Sequence, residues 1–440
     1  MTFEHFAVAR ICPNAGDLVK YTAVKGTEQM TRTMFAMFAI VSAAALSVRA
    51  DDASPAALNN FSAPFPTTYE DADAARASAP VRPPEKAAPA VSAAAAAAPA
   101  DATGWRPSER WRGFNLLGLF KKRIPAEAGF TDPKWERTPG YFHEDDFKWM
   151  KEWGFNFARL PMDYRVWIKD GDWNAIDPAA FKPIDDAVIF ARAYGIHIQM
   201  CFHRAPGFCI NTPPKEPADL FTDETALAVM IKHWQFFAKR YRNVPNRYLS
   251  FDPVNEPCFH PEKTIAAALS KVVAAIREID PERFIMINGW DCGTRPIEIF
   301  TRMPGVGQSM RGYSPHGVSH YKAEWWKTPP SAEPVWPPKG WRSGREWLLK
   351  NVFDKWQPTM DRGGFVMSNE FGCYRHTPHP VALAFLEDYL RIWKEKNMGW
   401  ALWNLRGTFG IIDSRRADVE YEDFHGHKLD RKMLELLRRY

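Results

Sequence analysis

The sequence is that of a folded protein with nearly balanced charge. It has 440 residues, of which 46% are hydrophobic and 14% aromatic, a composition typical of globular proteins and not of disordered or fibrous ones. Its 57 Lys and Arg residues against 52 Asp and Glu residues leave a net charge of +5. So small a charge over this length excludes the basic surface of a nucleic-acid-binding protein, and no nucleic-acid partner is expected.

The first 50 residues predict a signal peptide. The apolar stretch 34–48 follows Arg32, carries no charged side chain and ends before two aspartates, as the hydrophobic region of a signal peptide does. It has 15 residues, whereas roughly 20 are needed to cross a bilayer, so no stable membrane span is predicted. A buried apolar helix is the alternative. A conventional signal would begin at Met30 or Met34, so residues 1–50 are interpreted as an N-terminal extension with a signal peptide, and we expect a secreted or periplasmic protein.

Residues 51–104 are predicted to form a disordered linker. They are dominated by Ala and Pro and contain no Trp. Such a segment cannot bury enough apolar area to offset the entropy lost on ordering. All 18 tryptophans lie within residues 105–440, which predicts one globular domain over that range.

Eight short apolar or β-branched runs recur through this domain and alternate with segments that have helical spacing. The runs are 111–118, 155–161, 196–202, 249–257, 284–290, 309–315, 365–372 and 400–407, and the helical candidates are 144–153, 181–194, 224–241, 264–279, 347–357 and 381–396. The alternation predicts a parallel sheet with crossover helices, and eight such units are what a (β/α)8 barrel, the TIM barrel, requires. A doubly wound open sheet is the alternative, but no Gly-rich phosphate-binding motif follows the first strand.

Two glutamates stand at the ends of strand runs. Glu256 closes the fourth run and Glu370 the seventh. Because the active sites of (β/α)8 barrels gather at the C-terminal ends of the strands, a barrel would place these carboxyl groups across its mouth from each other. An unpaired charge within an apolar strand is costly, which favours a functional pair. Two carboxyl groups about 5 to 5.5 Å apart can cleave a glycosidic bond with retention of configuration.

Five motifs follow one another in order along the domain. They are Arg159 in FNFARLP, His203 in HRAPG, the triplet Asn255-Glu256-Pro257, Ser368-Asn369-Glu370-Phe371-Gly372 and Trp403 in ALWNL. Together they resemble glycoside hydrolase family 5, the retaining cellulases, mannanases and related β-glycanases, over nearly all of residues 105–440. The resemblance implies that Glu256 is the general acid/base and that Glu370 is the nucleophile that forms a glycosyl-enzyme intermediate.

The resemblance also implies a set of substrate-binding residues. Arg159 and Tyr313 would favour the ionised nucleophile by charge and hydrogen bonding. Asn255 can hydrogen-bond the sugar 2-hydroxyl, a contact that strengthens in the transition state. Trp403 offers a flat face to a sugar ring, and His203 is expected to orient polar groups. For the last two residues, a purely structural place in the core is the alternative.

One position departs from the family pattern. Relatives usually carry a histidine two residues before the tyrosine of the sixth strand, where this chain has Arg311. We interpret Arg311 as a replacement for that histidine; the alternative is that the alignment is shifted toward His316 or His320. In the favoured interpretation both histidines belong to the following loop, where we expect them to touch substrate. Their i, i+4 spacing would suit a metal pair on a helix, but Pro315 and Gly317 disfavour a helix there, so no metal site is predicted.

No cofactor is predicted. The six cysteines show no spacing typical of a zinc site or a disulfide scaffold. Cys201 and Cys209 could bridge across a short loop in an oxidising compartment, but buried single thiols are the favoured interpretation.

These observations predict a retaining glycoside hydrolase that acts by double displacement on a β-linked polysaccharide or oligosaccharide, with a β-glucan as the first expectation. A β-mannanase or other β-glycosidase, a transglycosylase, and a carbohydrate-binding protein without activity are the alternatives. Glucose and mannose differ in the orientation of one hydroxyl, which residue spacing does not resolve. A β-linked glycan is therefore the predicted partner, and we expect a monomer.

Overall fold

Eight parallel strands form a closed barrel in the computed structural model, which describes residues 104–121, 140–211 and 215–440. The order around the barrel is the order along the chain, and β8 pairs with β1 to close it. The strands are β1 Arg112–Asn115, β2 Phe157–Asp163, β3 His197–Arg204, β4 Leu249–Asp252, β5 Ile285–Asn288, β6 Val306–Gly312, β7 Phe365–Phe371 and β8 Trp400–Leu402. The predicted TIM barrel is confirmed, and the open sheet is excluded.

Helices follow the strands and cover the outside of the barrel. They are α1 Glu144–Glu152, α2 Lys182–Tyr194, α3 Glu224–Tyr241, α4 Glu262–Arg277, α5 Trp290–Gly293, α6 His316–Ser319, α7 Gly344–Asn351, α8 Gln357–Asp361, α9 His379–Glu395 and α10 Arg431–Arg439. Within the described ranges, no helix is both long and apolar enough to span a membrane. The predicted signal peptide and the linker up to residue 103 lie outside the described residues.

Local sequence sets the ends of the longer helices. Asp223 caps α3, because its side chain accepts a hydrogen bond from the Ala226 N–H at 2.9 Å. Helix α2 ends at Gly195, whose φ of 67° is a left-handed conformation that glycine adopts without steric cost. Helix α3 buries one face, which includes Val229 and Phe237, so packing against the barrel stabilises it beyond its own hydrogen bonds.

Two predicted strand runs end earlier than expected. The fourth run stops as a strand at Asp252, because Pro253 follows and has no N–H to continue the hydrogen-bond ladder. Glu256 consequently lies in the loop beyond the strand. The eighth strand stops at Leu402, so that Trp403 also lies in a loop at the barrel mouth.

The predicted helix over 347–357 is divided in two. Helix α7 begins earlier than expected, because Ser343 caps it by accepting a hydrogen bond from the Glu346 N–H at 3.2 Å. Val352, with φ −118° and ψ −60°, departs from ideal helical geometry and separates α7 from the turn and helix α8 that follow.

A C-terminal hairpin was not predicted. It pairs β9 Glu422–Phe424 with β10 His427–Leu429 in antiparallel register. His425 and Gly426, which connect the two strands, have φ of 49° and 82°, as a two-residue type I′ turn requires. The strands are too short, and the turn residues too unlike the usual Asn-Gly, to give a sequence signal.

Aromatic rings fill the barrel at the N-terminal ends of the strands. The cluster contains Trp105, Trp111, Phe157, Phe284 and Phe365, together with the imidazole of His197. Trp111 stacks on His197 with ring centroids 4.0 Å apart. Burial lowers the pKa of His197 to about 3, so its ring is neutral and packs as an aromatic group. Because side chains fill the barrel at this end, a functional site is expected at the C-terminal ends of the strands.

Candidate active site

Strand register brings four polar residues together in two pairs at the C-terminal end of the barrel. Asn115 on β1 lies opposite Arg159 on β2, and Arg311 on β6 lies opposite Glu370 on β7. A register shift between Met310 and Arg311 brings the second pair into alignment. All four polar side chains are buried, so each needs hydrogen-bond partners inside the barrel.

Arg159 uses its whole guanidinium group within the site. Nε donates to Asp252 Oδ2 at 2.9 Å, and Nη1 donates to Glu370 Oε1. Nη1 also donates to Asn115 Oδ1 at 3.2 Å, and Nη2 donates to Asn255 Oδ1 at 2.8 Å. A fully buried cation is tolerated when it is paired and hydrogen-bonded in this way. Arg159 thus fixes the position of Glu370.

Glu370 is held from three sides. Besides the contact with Arg159, its Oε2 accepts a hydrogen bond from the Tyr313 hydroxyl at 3.2 Å, and Arg311 Nη2 lies 3.3 Å from its Oε1. Burial, followed by the Glu370 charge, raises the pKa of Tyr313 well above its ordinary value, so the phenol keeps the proton that it donates. The carboxylate is therefore fixed in orientation by charged and neutral donors.

Glu256 has a left-handed backbone with φ of 47°, which is unfavourable for a residue with a side chain. Its N–H donates to Asn288 Oδ1 at 3.1 Å, and its Oε1 accepts from Arg311 Nε at 2.7 Å. The side chain is 17% exposed, so a substrate can reach it. Burial raises the pKa of Glu256; Arg311 opposes this rise and Glu370 adds to it. A raised pKa suits a carboxyl group that must donate a proton.

Asn255 and His203 each carry a buried polar atom without a partner among the described residues. Asn255 Oδ1 accepts from both Arg159 and Arg311, which leaves its Nδ2 unbonded. His203 Nε2 accepts from Asn211 Nδ2 at 2.9 Å, which places the ring proton on the unbonded Nδ1. Burial, together with the nearby arginines, lowers the pKa of His203 well below its ordinary value, so the ring is neutral. Unsatisfied buried donors are costly, which points to a ligand that completes them.

Trp403 forms an aromatic wall with two neighbouring rings. It is half-buried and lies 5.5 Å from the ring of His203 in a stacked arrangement. Phe120 packs edge-on against both, at 4.5 Å from His203 and 5.3 Å from Trp403. The partly exposed indole leaves a flat apolar surface beside the unbonded His203 nitrogen.

His316 and His320 lie on a short helical turn where no helix was expected. The expectation that Pro315 and Gly317 disfavour a helix here was wrong, because α6 begins directly after Pro315. The Pro315 carbonyl accepts from the Val318 N–H at 3.0 Å, and its missing N–H is not needed there. The two imidazole rings are 5.0 Å apart. Burial lowers the pKa of both, that of His320 to about 3.

His320 contacts the site through a tyrosine. Its Nδ1 hydrogen-bonds Ser319 Oγ at 2.7 Å, and that hydroxyl donates to the carbonyl of Tyr313. Its ring also lies edge-on to Tyr313 at 5.0 Å and stacks on Trp326 at 5.1 Å. His320 is thus packed against the residue that binds Glu370.

The five cysteines among the described residues are free thiols, and the same residues contain no group of three or more His, Cys, Asp or Glu side chains suited to a metal ion. Cys201 accepts a hydrogen bond from Arg159 Nη2 at 2.9 Å, whereas Cys209 donates to the Asn211 carbonyl at 3.3 Å. Burial raises the pKa of both thiols, which keeps them protonated. They do not form the bridge that the sequence left open.

Four residues of the site were missed as candidates. Asp252 binds Arg159 and is the last residue of β4, a position at a strand end that could have identified it. Asn288 donates to Asp252 and accepts from the Glu256 N–H. It is the last residue of β5, so its position at a strand end could also have identified it. Phe120 and Asn211 lie in loops without regular structure, and nothing in the sequence marks them.

Two carboxyl groups held together at the C-terminal mouth of a (β/α)8 barrel meet the requirement for cleaving a glycosidic bond, so fold and site together define a glycoside hydrolase. The family model described as "Cellulase (glycosyl hydrolase family 5)" matches residues 120–408. The chain belongs to glycosyl hydrolase family 5, which confirms the resemblance seen in the motifs.

Individual proteins are also similar to this chain. Endoglucanase C of Acetivibrio thermocellus is 24% identical over 317 residues, which cover 65% of this chain and 91% of that protein. A β-xylosidase of Phanerodontia chrysosporium is 24% identical over 310 residues, covering 64% of this chain and 60% of that protein. A crystal structure of a glycoside hydrolase is 34% identical with a TM-score of 0.68, and the match covers 75% of this chain and 99% of that chain.

Proposed function

We propose that this glycoside hydrolase cleaves a β-glucan by double displacement, with Glu370 as the nucleophile and Glu256 as the general acid/base. The observation that carries the proposal is that one guanidinium group, that of Arg311, binds both carboxyl groups. Two carboxyl groups that bind the same guanidinium group are close enough to act on one sugar ring. The similarity to Endoglucanase C supports a β-glucan as the substrate.

In the first step, Glu370 attacks the anomeric carbon. A bond forms between its carboxylate oxygen and that carbon, while the bond to the departing glycosidic oxygen breaks. Glu256 gives its proton to the departing oxygen, which suits a carboxyl group whose pKa is raised by burial. Arg159 and Tyr313 hold Glu370 in place for this attack.

In the second step, water replaces the enzyme on the sugar. Glu256, now ionised, takes a proton from water as the water oxygen bonds to the anomeric carbon and the bond to Glu370 breaks. Both carboxyl groups return to their starting state, and two inversions leave the configuration of the sugar unchanged.

The remaining site residues bind and orient the sugar in this proposal. The unbonded Asn255 Nδ2 donates to the 2-hydroxyl, and the unbonded His203 Nδ1 donates to another hydroxyl of the same ring. Trp403 provides the apolar face on which that ring stacks. His320 acts through Tyr313, whereas His316 lies one helical turn away, and contact of either histidine with substrate stays a prediction.

A substrate panel tests the proposal. Initial rates are measured on mixed-linkage β-glucan, soluble cellulose, mannan, xyloglucan and xylan, with chain-length analysis of the products and proton NMR of the first anomer released. We expect the highest kcat/KM on a β-glucan, and the β-anomer as the first product. Release of the α-anomer would overturn double displacement.

The same panel separates the alternatives. A higher kcat/KM on mannan or xylan would replace β-glucan as the substrate. Products longer than the substrate at high acceptor concentration would identify a transglycosylase. Binding to glycans without turnover on any of them would identify a carbohydrate-binding protein.

We also propose that the protein is exported and acts as a monomer. The apolar stretch 34–48 supports export. N-terminal sequencing of the protein recovered from the periplasm or medium tests the first point, and light scattering tests the second. Retention of the intact N-terminus in the cytoplasm would contradict export, and a dimer mass would contradict the monomer.

A further inference from the structure

Arg311 joins the two carboxyl groups of the site. Its Nε donates to Glu256 Oε1 at 2.7 Å, and its Nη2 lies 3.3 Å from Glu370 Oε1. Its Nη1 donates to Asn369, which lies within β7. The same Nη2 donates to Asn255, which follows β4, and to Asn288, which ends β5. A histidine, which the family resemblance leads us to expect at this position, has two ring nitrogens and cannot make this set of contacts.

The last residue of α5, Gly293, leaves room for this arginine. Gly293 has φ of 75°, and a Cβ added there would lie 2.7 Å from Arg311 Cγ. Any other residue at 293 would therefore displace the Arg311 side chain. Asn288, which ends β5, accepts hydrogen bonds from Arg311 and from the strained backbone N–H of Glu256. One asparagine therefore positions both Arg311 and the proposed acid/base.

The charges of the site balance only when one carboxyl group is protonated. The cluster contains the buried carboxyl groups of Asp252 and Glu370, the partly buried carboxyl group of Glu256, and the buried guanidinium groups of Arg159 and Arg311. Three negative and two positive groups leave one excess negative charge, which is costly in a buried site and favours a proton on one carboxyl group.

Formation of the glycosyl-enzyme changes this balance. The Glu370 charge disappears into the ester bond, so two carboxyl groups face two guanidinium groups. The cluster is then neutral with Glu256 ionised. If Arg311 were neutral, the same intermediate would have one guanidinium for two carboxyl groups, and Glu256 would keep its proton.

We propose that Arg311 is a positioning residue that converts Glu256 from acid to base between the two steps, by stabilising the Glu256 carboxylate once Glu370 carries the sugar. The inference rests on the proposed function of the two glutamates. It assigns the effect of Arg311 mainly to the second step, in which Glu256 must accept a proton from water. Arg311 itself forms no bond to the sugar in this scheme.

The other groups that face Glu256 do not provide this conversion. The titratable and charged groups around it are Arg159, Cys258, Arg311, Tyr313 and Glu370. The pKa of Cys258 is raised by its hydrogen bond to Cys292 and by burial, and the pKa of Tyr313 is raised by burial, so both stay neutral. Arg159 loses the same Glu370 charge but stays paired with Asp252, whereas Glu256 is then the one carboxyl group among the described residues that Arg311 still binds.

Burst kinetics with 2,4-dinitrophenyl β-cellobioside test the inference. Dinitrophenolate leaves without a proton, so the first step does not depend on Glu256. For Arg311→Met we expect kcat to fall about tenfold, with a smaller change in kcat/KM and a burst of one dinitrophenolate per enzyme molecule. The acidic limb of kcat should move up by about one pH unit, because Glu256 in the intermediate then ionises only at higher pH.

Two further variants of Arg311 and one control variant distinguish the loss of its charge from misfolding. Arg311→Gln is also neutral and is expected to repeat the result of Arg311→Met, whereas Arg311→Lys keeps the charge and should retain a kcat closer to that of the unmodified enzyme. Arg240→Met is the matched control, because Arg240 pairs with Asp185 on the outer helices, with Nε 2.9 Å from Oδ1. It removes a partly buried guanidinium elsewhere and should give neither a burst nor a shifted pH profile.

A proportional loss of kcat and kcat/KM in the neutral variants, without a burst, would overturn the inference. So would an Arg311→Lys variant with as slow a second step as the neutral variants. Both results leave the proposed function intact, because the unmodified enzyme still hydrolyses the substrate. Absence of turnover in the unmodified enzyme on every β-glycoside would instead count against the proposed function.

Discussion

The two ends of the barrel bury their side chains by different means. At the N-terminal ends of the strands, Trp111 packs on the neutral ring of His197, and the cluster is held by apolar contact. At the C-terminal ends, Arg159 and Arg311 bind the carboxyl groups and amides of at least four strands and their loops. Both ends are buried, but only the second depends on complete pairing of charges.

This difference separates stability from chemistry within one sheet. Apolar contact is graded, so a smaller ring at the N-terminal end costs stability in proportion to the volume lost. In a buried charge network, removal of one partner leaves the other charge unpaired, so a single substitution disturbs the whole network. We therefore expect substitutions at one end to change mainly the free energy of unfolding, and those at the other end to change mainly catalysis.

The largest effect is expected for Glu370→Ala. Loss of the nucleophile should lower kcat by roughly 10⁴-fold or more, measured on an aryl β-cellobioside. Azide should restore turnover and yield an inverted glycosyl azide, because a small anion can occupy the space of the missing carboxylate.

Two controls accompany this variant. Glu278→Ala, an exposed carboxylate just after α4, should keep the unmodified rate. Glu256→Ala should give a glycosyl azide of retained configuration. An inverted azide product from Glu256→Ala alone would reverse the assignment of the two acids.

At the opposite end, Trp111→Ala should destabilise the protein by about 3–5 kcal/mol, because it leaves a cavity among the packed rings. Urea unfolding followed by tryptophan fluorescence measures this loss. The kcat/KM per folded molecule should stay unchanged. A large fall in kcat/KM at a temperature where the variant is folded would show that the two ends are coupled.

Trp403→Ala is the matched change at the mouth. Removal of the stacking face should lower kcat/KM by about tenfold, with a smaller loss of stability than at Trp111 because the indole is only half-buried. Initial rates and urea unfolding of the same sample give both values. Equal destabilisation of the two variants, with kcat/KM retained in Trp403→Ala, would assign Trp403 to the core.

The smallest effect concerns pH. Burial lowers the pKa of His197 to about 3, and that of His233 on α3 to about 4. The unfolded chain binds protons at these histidines below about pH 6.5, and the native state does not, so stability falls as pH falls. Each should contribute a loss of about 1 kcal/mol between pH 6.5 and 5.5.

Urea unfolding at several pH values measures this slope. His197→Gln should show a shallower fall than the unmodified protein, whatever its absolute stability. An unchanged slope would mean that His197 is protonated in the native state, against the apolar character assigned to this end.

Much of the barrel was predictable because its signals are local. Each strand run has its own apolar residues, and the 224–241 helix was predicted to the residue from the helical spacing of its own apolar side chains. Glu256 and Glu370 were found through short motifs. The turn at 316–319 was mispredicted because Pro315 was treated as a helix breaker, although proline is compatible with the position before a first turn.

The contacts inside the mouth were not predictable in the same way. Asp252 was overlooked although it stands three residues before Asn255, because its importance comes from Arg159, 93 positions away in the chain. The role inferred for Arg311 depends on the shifted register that sets it opposite Glu370. Residue types and their order do not reveal such pairings.

The sequence by itself determined that this chain forms a (β/α)8 barrel of the glycoside hydrolase type, and which two glutamates stand at its mouth. Those properties follow from periodicity and from motifs within a few residues of each other. Only the tertiary structure decided which cation faces each carboxyl group and which donors stay unbonded. Hydrogen bonding and charge pairing act over a few ångströms in space, and closure of the barrel brings together residues that are far apart in the chain.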